Sequence, residues 1–180
     1  MVPANVPVMT GWPAPHRTDP PFRDPERPAL EAWLEYHRAT LLRKCAGLTP
    51  EQLVTRSAPP SSLSLLGLVR HLTEVERSWF RRRLDRQTEL PLLYCSDDNP
   101  DGDFDDVDPA RADEDRAAYE REVTAARDVT ARYWLDDVGL TSRGEEVDLR
   151  WIYLHMIEEY ARHNGHADVL RERIDGATGE

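Results

Sequence analysis

Lysine is almost missing from this chain. Of 23 lysines and arginines, only Lys44 is a lysine. That bias marks a GC-rich genome of actinobacterial type and says more about the host than about chemistry. Cysteine is scarce too. Cys45 and Cys95 are too few for a disulfide framework, so two inert free thiols in a cytoplasmic protein are expected. No apolar run approaches the roughly 20 residues of a membrane span. The N-terminus has no apolar signal-peptide core, which argues against export. Acidic residues outnumber basic ones, 34 to 23, for a net charge of −11. Phosphate backbones and anionic lipid select for basic patches, so nucleic acid and membrane are excluded as general partners and a small molecule is left. Neither a Ser/His/Asp signature nor a glycine-rich phosphate loop is present. No segment sustains alternation of period two, so no sheet is expected.

What is present is enough for one domain with a core: 180 residues, 39% hydrophobic and 32% charged. Residues 1–27 carry Pro3, Pro7, Pro13, Pro15, Pro20, Pro21 and Pro25. They predict an extended arm, with Trp12 and Phe22 available to pin it to the body or to a second subunit. Residues 28–180 form the domain proper. Apolar residues recur at helical spacing over about 28–45, 64–83, 109–135 and 147–174, the third stripe being the weakest. Four amphipathic helices predict an all-α four-helix bundle. The link over about 86–108 is long enough to cross the bundle end.

Inside the fourth stretch, Glu159 and His163 are four residues apart, on the face that also carries Ile152, Met156 and Leu170. Two titratable groups on an apolar stripe are costly unless something binds them. A divalent metal does so with a third ligand from elsewhere; otherwise the two form an ordinary helical ion pair. His71, bordering the stripe of the second helix between Leu68 and Val75, is the best third ligand, and His155, one turn before Glu159, is the main rival. Two imidazoles and a carboxylate with an open fourth position suit catalytic zinc, and also iron or nickel. Asn164, His166 and Asp168 are candidates for orienting the ligands. Gly165, mid-helix, suggests close approach of a neighbouring helix or ligand. Asp97 to Asp108 has the donor spacing of a calcium loop with Gly102 at the turn, but Pro100 is unusual and a solvated acidic loop is the competing reading. The same link is also a candidate lid. Tyr160 and Trp151 are expected as core anchors.

The stretch Leu66-Gly67-Leu68-Val69-Arg70-His71-Leu72-Thr73-Glu74-Val75-Glu76, followed much later by His155-Met156-Ile157-Glu158-Glu159-Tyr160-Ala161-Arg162-His163-Asn164-Gly165-His166, resembles the DinB/YfiT-like superfamily, a group regarded as metalloenzymes. The similarity spans about residues 28–176 and is nearest to an uncharacterised actinobacterial branch. It implies an up-down-down-up four-helix bundle, a homodimer, and a metal held by His71, Glu159 and His163. Many members have His where Glu159 stands. Glu at that position matches the related mycothiol-dependent maleylpyruvate isomerase. The implied function is a metal-dependent transferase or hydrolase that uses a thiol such as mycothiol on a small electrophile, with Glu74 and His166 as proton-transfer groups. The alternative is a non-catalytic, stress-associated bundle that binds metal or another ligand.

Overall fold

Three α-helices of this protein, those starting at Pro50, Leu65 and Leu149, follow a side chain that accepts a backbone amide of the first turn. The computed structural model describes residues 11–179, so Pro3 and Pro7 of the expected arm lie outside the described residues. Helix α1 is Glu26–Cys45 and the short α2 is Pro50–Leu53, which starts with a capping box between Thr49 and Gln52. Helix α3, Leu65–Glu76, begins where the Ser64 hydroxyl accepts the Gly67 amide, and it continues without a break as a π-helical stretch, Arg77–Leu84. Helix α4 is the single turn Gly102–Asp105 and α5 is Ala112–Thr130. Helix α6, Leu149–Asp175, is capped by Asp148 at its start and closed by Gly176 at φ +79°.

The protein is therefore mostly helical, as expected, but it is not sheet-free. Strands β1 (Val138–Leu140) and β2 (Glu146–Asp148) pair antiparallel, with Gly139 opposite Val147. Three residues per strand is too short for alternation to register in the sequence. Gly139 is glycine because a Cβ there would lie 2.5 Å from the Arg83 carbonyl oxygen, so the hairpin presses directly on the end of the π-helical stretch. The third helix also stops earlier than expected, at Thr130. There the Arg27 guanidinium takes the Thr130 carbonyl at 2.7 Å and also the Tyr133 carbonyl, satisfying a helix C-terminus from another helix.

Helix α1 lies along α6, and α3 packs on both α5 and α6. Leucines from α1, α3 and α6, with Tyr119 and Val123 of α5 and with Met156, Phe80 and Ile152, fill the centre. A polar network sits within this core. Arg38 of α1 makes a two-pronged ion pair with Glu76 of α3, at 2.7 and 2.6 Å. The Tyr160 hydroxyl of α6 donates to the same carboxylate at 2.7 Å and lies 2.9 Å from the Tyr119 hydroxyl of α5. One group from each long helix thus meets at a point closed to water, where a charge is tolerated only because every partner is present.

Of the arm, residues 11–25 run without regular structure against the body. Trp12 is buried, its Nε1 donating to Asp113 at 2.9 Å and its carbonyl accepting the Gly47 amide at 2.9 Å. Phe22, the other residue expected to pin the arm, is fully exposed. Trp151 departs from expectation as well: it is about half exposed, whereas Tyr160 is buried as anticipated. No described helix is long and apolar enough to cross a membrane.

Candidate metal centre

Helices α3 and α6 bring His71, Glu159 and His163 together. One donor atom from each lies within 4.8 Å of the others. His163 Nε2 is 3.3 Å from Glu159 Oε2, and the His71 and His163 rings meet at 4.7 Å between centroids. The three side chains are partly buried but reachable, with exposures of 26%, 16% and 11% for His71, Glu159 and His163. Burial, and then the neighbouring His71 and His166, push the His163 pKa down to about 4. A neutral imidazole beside a carboxylate and a second imidazole is a donor set that suits a divalent ion. The residues fit such an ion, and two imidazoles with one carboxylate leave room for a further ligand.

The histidine of α3 is held from outside. His71 Nδ1 lies 2.8 Å from Asp103 Oδ2, which leaves Nε2 as the nitrogen free to ligate. Phe104 stacks on the same ring at 5.2 Å. Both come from α4, in the middle of the long link. Arg70, next to His71, fixes that link by donating to the Gly102 and Asp106 carbonyls at 2.8 Å each and by lying over the Tyr94 ring. Glu74, one turn on, accepts the Leu93, Tyr94 and Cys95 amides through Oε1. The link thus lies against the centre as an outer wall tied down by α3.

The acidic link does not gather its carboxylates as a calcium loop would. Among the described residues, no three acids of 97–108 converge as a donor group. Asp105 pairs with Arg56, Asp106 accepts from Asn99, Asp108 caps the turn at Ala110, and Asp103 serves His71. Asp103 is the residue that sequence reasoning missed; no spacing rule connects positions 71 and 103.

The remaining expected residues divide by position. His166 is exposed, with Nδ1 3.4 Å from His163 Nδ1. His155 reaches Glu159 Oε1 at 3.7 Å and forms a second possible donor group with Glu158 and Glu159, all on α6. Its ring stacks on Trp151 at 5.0 Å and meets Trp79 edge-on. Asn164 and Asp168 do not orient the ligands: Asn164 donates to the His37 carbonyl and Asp168 pairs with Lys44. Gly165 faces open space, since a Cβ there would meet nothing within 4 Å, and no neighbouring helix approaches it. Burial pushes the Cys45 thiol up to about 12, and Cys95 is raised mainly by burial, so both are held as thiols.

The sequence matches the family described as Mycothiol-S-transferase over residues 29–176. No curated protein matches the chain.

Proposed function

This chain belongs to the mycothiol S-transferase family, and from that membership and the converging donors we propose that it is a metal-dependent transferase joining the mycothiol sulfur to a small electrophile. The observation that carries the reading is the approach of His71, Glu159 and His163 to within 4.8 Å of one another from two helices. These residues would hold a divalent ion, zinc by preference for this donor set. Such an ion supplies Lewis acidity that lowers the pKa of a thiol at neutral pH.

The protein's own groups do the rest. Asp103 fixes the tautomer and direction of His71. Burial keeps His163 neutral. We read His166, exposed beside His163, as the group that accepts the thiol proton and releases it to water. The sulfur then bonds to the electrophilic carbon, either displacing a leaving group that departs with its electron pair or adding to an activated double bond, whose electron pair moves to the far carbon and takes up a proton from water. Glu74, its Oε1 taken up by three backbone amides, is read as positioning the link. The four long helical stretches are read as an up-down-down-up bundle that works as a cytoplasmic homodimer, with residues 1–27 as its arm.

Elemental analysis after dialysis against metal-free buffer tests the site. Stoichiometric metal in the parent protein should fall near zero in His71→Ala and His163→Ala. Unchanged content in both rules the assignment out. Consumption of mycothiol with a haloalkyl reporter, stopped by chelator and restored by zinc, tests the reaction.

A further inference from the structure

The face that carries the candidate metal centre runs on to a second polar feature. His71 of α3 meets His163, and Trp79, further along the same continuous helix, meets His155 with ring centroids at 4.6 Å. Residue numbers rise along one helix as they fall along the other, so the two lie antiparallel with a partly exposed seam between them. Beyond Trp79 the seam ends at Arg82 and Arg83. The Arg83 guanidinium lies 4.3 Å from the centroid of Trp79 and donates to the Ser78 hydroxyl.

These two arginines differ from the other half-buried ones. Arg27, Arg38, Arg70, Arg77, Arg81 and Arg116 each have a carboxylate partner. Arg82 and Arg83 have none among the described residues, and the Nε of each is buried with no hydrogen-bond acceptor. Asp85, close by in sequence, is taken by Tyr133, Gln87 and Arg132. Arg70 also has a buried Nε without an acceptor, so what sets Arg82 and Arg83 apart is the missing carboxylate, and a guanidinium without one is open to charge-assisted bonds from an anion. Burial, and then repulsion from the neighbouring Arg82, lower the Arg83 pKa.

Both arginines line a cavity of about 120 Å³ together with Ser78, Thr88, Thr141 and Ser142. Two guanidinium groups and four hydroxyls around a small space make a donor-rich pocket. Its volume suits a group of a few heavy atoms and not a whole substrate. In a chain of net charge −11, an unpaired cationic pair is also the local exception to a field that repels anions.

We propose that the Arg82–Arg83 pocket is an anion subsite that takes the carboxylate or phosphate at the far end of an extended electrophile, with the reactive carbon reaching along Trp79 and His155 toward Glu159. The proposal rests on the transferase reading for the identity of the anion's carrier. Mycothiol bears neither carboxylate nor phosphate, so the charge belongs to the other substrate. His155 Nε2 is 3.7 Å from Glu159 Oε1, so a relay of side-chain contacts, Arg83 to Trp79 to His155 to Glu159, joins the wall of the pocket to the candidate metal centre.

The test has two arms. In the first, the folded protein is titrated with sodium phosphate and with sodium acetate at constant ionic strength, chloride serving as the control anion. The arginine Nε–Hε resonances are followed by NMR. Those of Arg82 and Arg83 should shift saturably. The dissociation constant should rise roughly tenfold or more in Arg82→Gln and Arg83→Gln, the loss of a charge-assisted bond. It should change little in His71→Ala. Resonances that do not move, or affinity unchanged in both Gln variants, overturn the subsite.

In the second arm, turnover is compared for an electrophilic acid and its carboxamide. The Gln variants should lower kcat/KM about tenfold for the acid and leave the amide unaffected. Equal loss on both, with phosphate still binding, assigns the pocket to free phosphate and overturns the substrate assignment. Absence of turnover with every electrophile would remove the transferase reading while the titration still decides the anion site.

Discussion

His71 Nδ1 and Asp103 Oδ2 stand 2.8 Å apart across 32 residues of chain. A carboxylate in that position fixes which imidazole nitrogen carries the proton and raises the basicity of the other. Asp103→Ala should therefore weaken metal binding about 10- to 100-fold without removing a ligand. Competition with a calibrated chelator measures it, and an affinity equal to the parent's would show that the contact does not orient His71.

Gly67 tests the packing of the same wall. A Cβ at Gly67 would lie 2.9 Å from Phe104 Cδ1 and 3.1 Å from the Ser64 hydroxyl. Alanine favours a helix interior over glycine by about 1 kcal/mol, while overpacking costs about 1–3 kcal/mol. Gly67→Ala is expected to be destabilising on balance in urea melts and to loosen metal binding by moving Phe104 off His71. Combined with Phe104→Ala, the two changes should be less than additive, because the second removes the atom the first strikes.

Removing Glu76 leaves Arg38 charged in the core without the carboxylate that holds it. Glu76→Ala should cost about 3–5 kcal/mol, the usual penalty for breaking a buried pair from one side. Arg38→Met with Glu76→Leu should recover most of that loss. Urea midpoints of the three proteins decide the point; a single change as mild as the double one would mean that water reaches the network.

Histidine burial predicts the direction of acid sensitivity in metal-free protein. His163 is brought from the usual 6.5 down to about 4, and burial lowers His37 and His155 as well. Between those values the unfolded chain binds the proton and the folded one refuses it, so the histidine contribution lowers stability as pH drops from about 6.5 to about 4 and is complete below that. His163 alone accounts for up to roughly 3 kcal/mol. Urea midpoints across this range should fall less steeply for His163→Gln than for the parent; parallel slopes would refute the contribution.

Helical periodicity made α1, α3, α5 and α6 readable, because each buries one stripe and its ends carry ordinary signals such as Ser64 and Gly176. Glu159 and His163 were legible for the same reason, as titratable groups on a buried face. Three things were not. The β1–β2 hairpin is shorter than any period can reveal. Arg27 ends α5 through a contact between residues far apart in sequence. Asp103 stood among so many acids that its place beside His71 was hidden: the sequence shows which residues are acidic, but only the fold shows which of them is taken up by a histidine.

Trp12 draws the edge of the folding unit ahead of the family match, which begins at residue 29. Its indole is a core residue with a partner in α5. A protein trimmed to the family boundary would therefore begin with a hole beside α5 and Asp113 without its donor. Loss of a buried indole costs about 3–5 kcal/mol, so such a truncation should melt several degrees lower than one that begins at Gly11. Excisable by homology and able to stand alone are, for this chain, two different lengths.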